Sequence, residues 1–347
     1  MRILYGVQAT GNGHITRARV MLPALKAQGF EVDFLFSGRS LDAYFDMDIF
    51  GHYQTRKGFT FAGSHCSINW LKTIQQAEIL NFYHDVQSLA LTKYDLVITD
   101  FEPVSAWAAK IKKIPSVGLA HQYALAFGLP GLKFTPGIGH ILRTFAPAKY
   151  PIGVHWDHFG QTIIPPLIHL NHETPTREDD VILVYLPFEA EKGLFQWLGQ
   201  VPNQRFVVYS KSIVTEQISP NIVVKPLSRE TFPVDFADCQ GVISNTGFGL
   251  CSEAMVLGKK ILTFPIKGQI EQRSNAEVLK QLNRAMVIDD YDVNILQQWL
   301  KQPSVPKAQL PDVATEVAKW LAKGELDQRK NLVDSLWEQT KDIQLSR

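Results

Sequence analysis

His14 closes the run Thr10-Gly11-Asn12-Gly13-His14, a Gly-rich turn between an apolar stretch and a helical one. A helix amino end disfavours imidazolium, so this ring is expected to be neutral at pH 7 and able to accept a proton. Asp100 ends another apolar run, Tyr94–Thr99. If both stand on one sheet edge, the carboxylate orients the ring and stabilises it once protonated. The sequence is equally compatible with His14 satisfying its own turn and Asp100 capping the helix that starts near Val104.

A second stretch, Gly241–Ala276, reads as strand, turn, helix, strand and polar loop. The apolar run Gly241–Ser244 stops at Asn245-Thr246-Gly247-Phe248-Gly249, a helix follows to Leu257, and Lys260–Phe264 is the next strand. Parallel strands of a βαβ unit end on one edge, where open α/β sheets bind ligands. That edge would gather Asn245, Thr246, Gly247, Gly249, Glu253 and the loop carrying Glu271 and Gln272. Glycines let backbone N–H groups approach an anion, and the helix points its positive end there. Glu253, one turn into the helix, suits hydroxyls better than phosphate, and the combination describes a sugar nucleotide. Lys211 and Lys267 each follow a strand and could neutralise a diphosphate. An ordinary helix-starting turn, a capping carboxylate, a solvated loop and exposed lysines are the plainer readings of the same residues. His, Cys and carboxylates never fall at metal-ligand spacing, and no Asp-x-Asp pair offers to hold a divalent ion, so no metal and no cofactor is expected.

These residues need an alternating scaffold, and the chain supplies one. Ile3–Ala9, Glu31–Phe36, Tyr94–Thr99 and Pro115–Ala120 read as strands with helices between, among them Ile15–Gln28 and Val104–Lys112, and Ile68–Leu91 has a helical apolar pattern. A second series runs Val181–Leu186, Arg205–Tyr209, Asn221–Val224, Gly241–Ser244, Lys260–Phe264 and Ala285–Ile288. The expected plan is two doubly wound α/β halves: residues 1–160 for the acceptor, a Pro-marked linker at 161–180, and residues 181–320 for the donor. Val313–Leu321 and Leu326–Ile343 read as closing helices with Trp320 and Trp337 as packing anchors, and the segment 321–347 is expected to cross back to the first half. Dinucleotide binding is rejected, because Thr16 stands where the fingerprint wants a third small residue and no acid ends the second strand.

Across the 347 residues, 35 basic and 34 acidic side chains nearly balance, which gives no argument for nucleic acid. Pro103–Trp156 lacks Asp and Glu but holds Lys110, Lys112, Lys113, Lys133, Arg143 and Lys149. A solvated basic face is the favoured reading. A surface for an anionic acceptor, or a peripheral membrane contact, is the second. Cys66, Cys239 and Cys251 suit a reduced, cytoplasmic protein. No run is long enough for a signal peptide or a membrane span.

Three of these segments carry a resemblance. Thr10–His14, Val97–Trp107 and Gly241–Ala276 together resemble the GT-B glycosyltransferases, two Rossmann-like domains facing each other across a cleft, and among them the MurG-like branch of family 28. The resemblance implies an inverting, metal-independent transferase with His14 as general base oriented by Asp100. It implies donor contacts at Gly11, Gly13, Asn245, Thr246, Gly247 and Gly249, ribose at Glu253, donor sugar at Glu271 and Gln272, a UDP-linked donor, and a glycan or lipid-linked acceptor. Leu186-Pro187-Phe188-Glu189 departs from the Gly-Ser loop of that branch, and its acceptor loop is unmatched, so peptidoglycan synthesis does not carry over. A sugar-nucleotide epimerase and a non-catalytic sugar-nucleotide-binding subunit are the alternatives.

Overall fold

The computed structural model describes residues 1–40, 44, 47–58, 76–132, 137–168 and 180–343. Lys133, Cys66, most of the expected linker and the start of the Ile68–Leu91 pattern lie outside the described residues. The chain divides into two compact units. The first is Met1–Ile168 with Leu310–Thr340, and the second is His169–Gln309 with Lys341–Arg347.

The first unit is built on seven strands, β1 (Arg2–Gln8), β2 (Glu31–Ser37), β3 (Tyr53–Arg56), β4 (Leu96–Asp100), β5 (Ser116–Ala120), β6 (Tyr150–Val154) and β7 (Ile163–Ile164). They pair in parallel in the order β3-β2-β1-β4-β5-β6-β7. Near-continuous apolar runs such as Ile3-Leu4-Tyr5 and Val97-Ile98 suit strands covered on both faces. The covering helices are α1 (Asn12–Ala27), α2 (Gln76–Ser88), α3 (Pro103–Lys112), α4 (His121–Leu125) and α5 (Ile138–Phe145). Winding reverses between β1 and β4, which makes their carboxyl ends the switch point of the sheet.

Local sequence explains the helix starts. Pro103 occupies the first turn of α3, and the Glu102 carboxylate caps it by accepting from the Val104 and Ser105 amides at 2.9 and 2.6 Å. Gly6 of β1 lets that turn sit close, since a Cβ there would collide with Ser105. The α1 helix begins at Asn12, three residues before the expected start, with Gly11 as an N-cap that offers no side-chain bond. His14 therefore stands inside the first helical turn.

The second unit repeats the plan with β8 (Val181–Tyr185), β9 (Arg205–Ser210), β10 (Gln217–Ile218), β11 (Ile222–Pro226), β12 (Gly241–Asn245), β13 (Lys260–Phe264) and β14 (Met286–Val287). Their order is β10-β11-β9-β8-β12-β13-β14, antiparallel only at β10–β11. Here the switch lies between β8 and β12. The helices are α6 (Glu191–Leu198), α7 (Thr231–Asp238), α8 (Phe248–Leu257), α9 (Ile270–Gln281) and α10 (Val293–Leu300). One face of the sheet closes over a core holding Trp197, Phe206, Phe264, Leu296 and Trp299.

The chain returns to the first unit at Leu310, so α11 (Val313–Lys323) and α12 (Arg329–Glu338) both count with it. Trp320 and Trp337 are buried, and the Trp337 indole donates to the Ile163 carbonyl at 2.7 Å.

Candidate active site

At the first-unit switch point, β1 and β4 run side by side with Val7 paired to Asp100. The first turn of α1 lies over that pair and brings His14 to the carboxylate. His14 Nδ1 is 2.6 Å from Asp100 Oδ1, with the ring nearly buried and the carboxylate fully so. Asp100 does not cap α3, because Glu102 has that role. Phe101 takes a left-handed φ of 57°, a conformation that costs a non-glycine residue about 1 kcal/mol or more. It turns the chain from β4 into the Glu102 cap, and its ring is fixed against Tyr123 and Phe145.

Arg17 completes the cluster. It lies one turn after His14 on the same helix face, and its Nε and Nη2 donate to Asp100 Oδ2 and Oδ1 at 2.7 and 2.5 Å. Its Nη2 also lies 3.1 Å from His14 Nδ1. Burial by itself would raise the Asp100 carboxyl. Arg17 and then His14 more than offset it, and the group is held below the ordinary carboxylate range. An ionised Asp100 can only accept, so the proton in this contact sits on His14 Nδ1. The Gln122 amide nitrogen of α4 stands 3.4 Å from His14 Nε2.

In the second unit the turn from β12 into α8 is braced from within. Thr246 is fully buried, its N–H donates to Gln272 Oε1 at 3.1 Å, and its carbonyl accepts from Asn275 Nδ2 at 3.1 Å. Gln272 Oε1 takes a second amide, that of Ile266, at 2.9 Å. Glu271 and Gln272 are thus helical residues in the first turn of α9 rather than a polar loop. The Thr246 amide and the Gln272 carbonyl oxygen are both committed to the turn. The Gly247 N–H goes to the Asn245 carbonyl at 2.7 Å, and α8 has no side-chain cap.

Gly11, Gly13, Gly247 and Gly249 share a property. None has a positive φ, and a Cβ at each would meet nothing within 4 Å. Neither positive φ nor packing within the chain requires glycine there. Glu253 projects from α8 as a partly buried carboxyl that no hydrogen bond or ion pair reaches among the described residues. Burial pushes it up to about 7.

Carboxylates line the neighbouring loop after β8. Glu189 lies 3.4 Å from Asn245 Nδ2, and Glu191 accepts from the hydroxyls of Ser210 and Ser212. Lys267 pairs in solvent with Asp290 at 3.8 Å, an interaction worth little, and Lys211 stands over the exposed Phe188 ring. Neither lysine is fixed toward the turn. The basic stretch of the first unit is spent on neighbours too. Lys112 donates to the Gln87 and Leu89 carbonyls, Arg143 to that of Ala126, and Lys110 and Lys149 cover Trp107 and Tyr150. Cys239 and Cys251 are free and buried. Among the described residues no three His, Cys, Asp or Glu gather as metal ligands, and no helix is long and apolar enough to cross a membrane.

Two doubly wound, mostly parallel sheets of this kind are the GT-B glycosyltransferase fold. The chain belongs to glycosyl transferase family 1, whose family model matches residues 1–128 and 152–304. Solved structures share the fold at low identity. The glycosyltransferase SnogD from Streptomyces nogalater is 15% identical, with 95% of this chain and 96% of that one covered at a TM-score of 0.57. VinC in complex with DTDP is 14% identical, covering 96% and 100%, at 0.57. LpCGTa in complex with UDP is 14% identical, covering 96% and 98%, at 0.60. No curated protein sequence matches.

Proposed function

We propose that the protein is an inverting, metal-independent transferase that moves a sugar from a UDP-linked donor to an acceptor hydroxyl. The observation that carries this reading is the 2.6 Å contact between His14 Nδ1 and Asp100 at the sheet's switch point, which leaves Nε2 as the basic atom. The acceptor hydroxyl gives its proton to Nε2 as its oxygen bonds to the anomeric carbon, and Asp100 stabilises the imidazolium that forms. The bond from that carbon to the diphosphate oxygen breaks on the opposite face, so configuration inverts and the diphosphate departs with the electron pair. Gln122 is suited to hold the acceptor oxygen, since its amide already faces the same nitrogen.

The leaving diphosphate belongs at the amino end of α8, where the uncapped helix start carries partial positive charge and Gly247 and Gly249 leave room. Gly11 and Gly13 leave similar room beside His14. The acidic loop after β8 does not suit an anion, which favours the α8 side for the phosphates. Glu253 takes the ribose hydroxyls, a role supported by a carboxyl with no partner among the described residues. Glu271 takes hydroxyls of the donor sugar, while Gln272 holds the turn that presents them. Nucleotides bound to VinC and LpCGTa support a nucleotide-diphosphate donor, and the spinosyn aglycone bound to the rhamnosyltransferase SpnG, a structure of the same fold at a TM-score of 0.53, supports a separate acceptor molecule. The MurG-like affinity rests on the three sequence motifs. Buried free thiols fit a cytosolic setting.

Thermal-shift screening of UDP- and dTDP-linked sugars would select the donor, because a ligand that binds only the folded form raises Tm. Transfer to a hydroxyl acceptor with EDTA present, read by the anomeric coupling constant of the product, then tests the reaction. Inversion without added metal is expected. Retention of configuration, loss of activity on chelation, or conversion of the donor to an isomer without acceptor would overturn it.

A further inference from the structure

Arg17 has no part in the proposed transfer, yet it makes two charge-assisted hydrogen bonds in the His14 cluster. Its guanidinium spans both oxygens of Asp100, and one of its nitrogens faces the imidazole nitrogen that Asp100 binds. Arginine stays charged at any pH at which the protein is folded. The ring therefore feels a carboxylate and a fixed cation at nearly equal range. In a bare acid–base dyad the carboxylate stabilises imidazolium and draws the ring toward its charged form. Here a fixed cation stands 3.1 Å from the same ring nitrogen, on the side where the carboxylate binds.

We propose that Arg17 is a positioning residue that holds Asp100 against His14 and keeps the imidazole unprotonated, so that it is ready to take a proton at neutral pH. The inference rests on His14 acting as the base. The other groups around the ring do not supply this balance. Gln122 of α4 is neutral. Tyr5 of β1 and Tyr123 of α4 are phenols whose ionisation burial pushes up, so they stay uncharged. Glu102 is engaged by Ser37, Val104 and Ser105 on the far side of its own cap. Arg17 is the cation the structure places against the ring.

Two arms test this. The His14 imidazole is titrated by NMR in histidine-labelled wild type, Arg17→Gln and Arg17→Lys, with the signal assigned by its loss in His14→Ala. The pH dependence of kcat/KM is measured on the same proteins. In Arg17→Gln the uncompensated carboxylate should move the titration midpoint up by about one pH unit or more, a tenfold rise in proton affinity. The acid limb of the rate profile should move with it. Arg17→Lys keeps the charge and should stay near wild type in midpoint, while losing turnover through poorer geometry.

Asp100→Asn gives an independent reading that leaves Arg17 in place. There the midpoint should fall below the ordinary histidine value of about 6.5, because only the cation remains. A midpoint unchanged or lowered in Arg17→Gln, or near 6.5 in Asp100→Asn, would overturn the proposal. If His14→Ala keeps wild-type turnover, the base assignment fails instead, and the NMR arm still reports on Arg17.

Discussion

Glu253→Gln should stabilise the second unit above neutral pH and do little in acid. The Glu253 carboxyl moves from its ordinary 4.5 to about 7 because burial disfavours its charge. A group whose folded value is raised binds more protons folded than unfolded, so its ionisation removes stability as pH rises from 4.5 through 7. At about 1.4 kcal/mol per pH unit, the full effect is about 3 kcal/mol, nearly all of it present by pH 8 and about 1 kcal/mol of it at pH 5. Glutamine keeps the shape and removes the charge, so the variant should gain about 2 kcal/mol on wild type between pH 5 and pH 8. Two units need not unfold together. Amide hydrogen exchange of β12 and β13, corrected for intrinsic rate, isolates the opening of the relevant one. Donor hydroxyls would favour the ionised form, so wild-type donor affinity should rise with pH up to about 7 and that of Glu253→Gln should not. An exchange difference independent of pH would refute the burial argument, and a parallel pH dependence of donor affinity in both proteins would refute the ribose contact.

Asp100→Ala strands the buried Arg17, and losing one partner of such a pair costs about 3–5 kcal/mol, read as faster exchange in β1 and β4. Because the Asp100 carboxyl is held low, its contribution is complete above the ordinary carboxylate range and is lost as pH falls below it. Acid unfolding of the first unit should accordingly be shallower in Asp100→Asn. Gln272→Leu leaves the buried amides of Thr246 and Ile266 without an acceptor, at about 2–4 kcal/mol for the two. Its donor KM should rise with the loosened turn. An unchanged KM with lowered stability would confine Gln272 to the fold.

Legibility in the sequence followed the range of the interaction. Alternating apolar and helical stretches placed most strands of both sheets, because periodicity is written in neighbouring residues. In the sequence His14 and Asp100 are linked only by the rule that parallel strands end on one edge, and the structure brings them to 2.6 Å. Arg17 was missed although it stands one turn after His14, since its partner Asp100 is 83 positions away. A charged residue on the buried face of a helix was the available signal. Gln272 read as a loop ligand because nothing local reveals that its carbonyl oxygen accepts from the backbone amides of Thr246 and Ile266. The strands β3 and β6 went unread as well, the one polar throughout and the other broken by Pro151 and Gly153, so neither carries a period. Phe101 shows the same limit in the backbone. Its φ is left-handed and its ring packs against Phe145, and its residue type gives no hint of either.

The central claim is that His14 is the base of the transfer reaction. Single-turnover transfer by His14→Ala, with donor affinity measured calorimetrically on the same sample, tests it most directly. The chemical step is expected to slow by about 10²-fold or more while donor affinity stays within a few fold of wild type. A chemical step as fast as wild type, with the donor still bound, would contradict it.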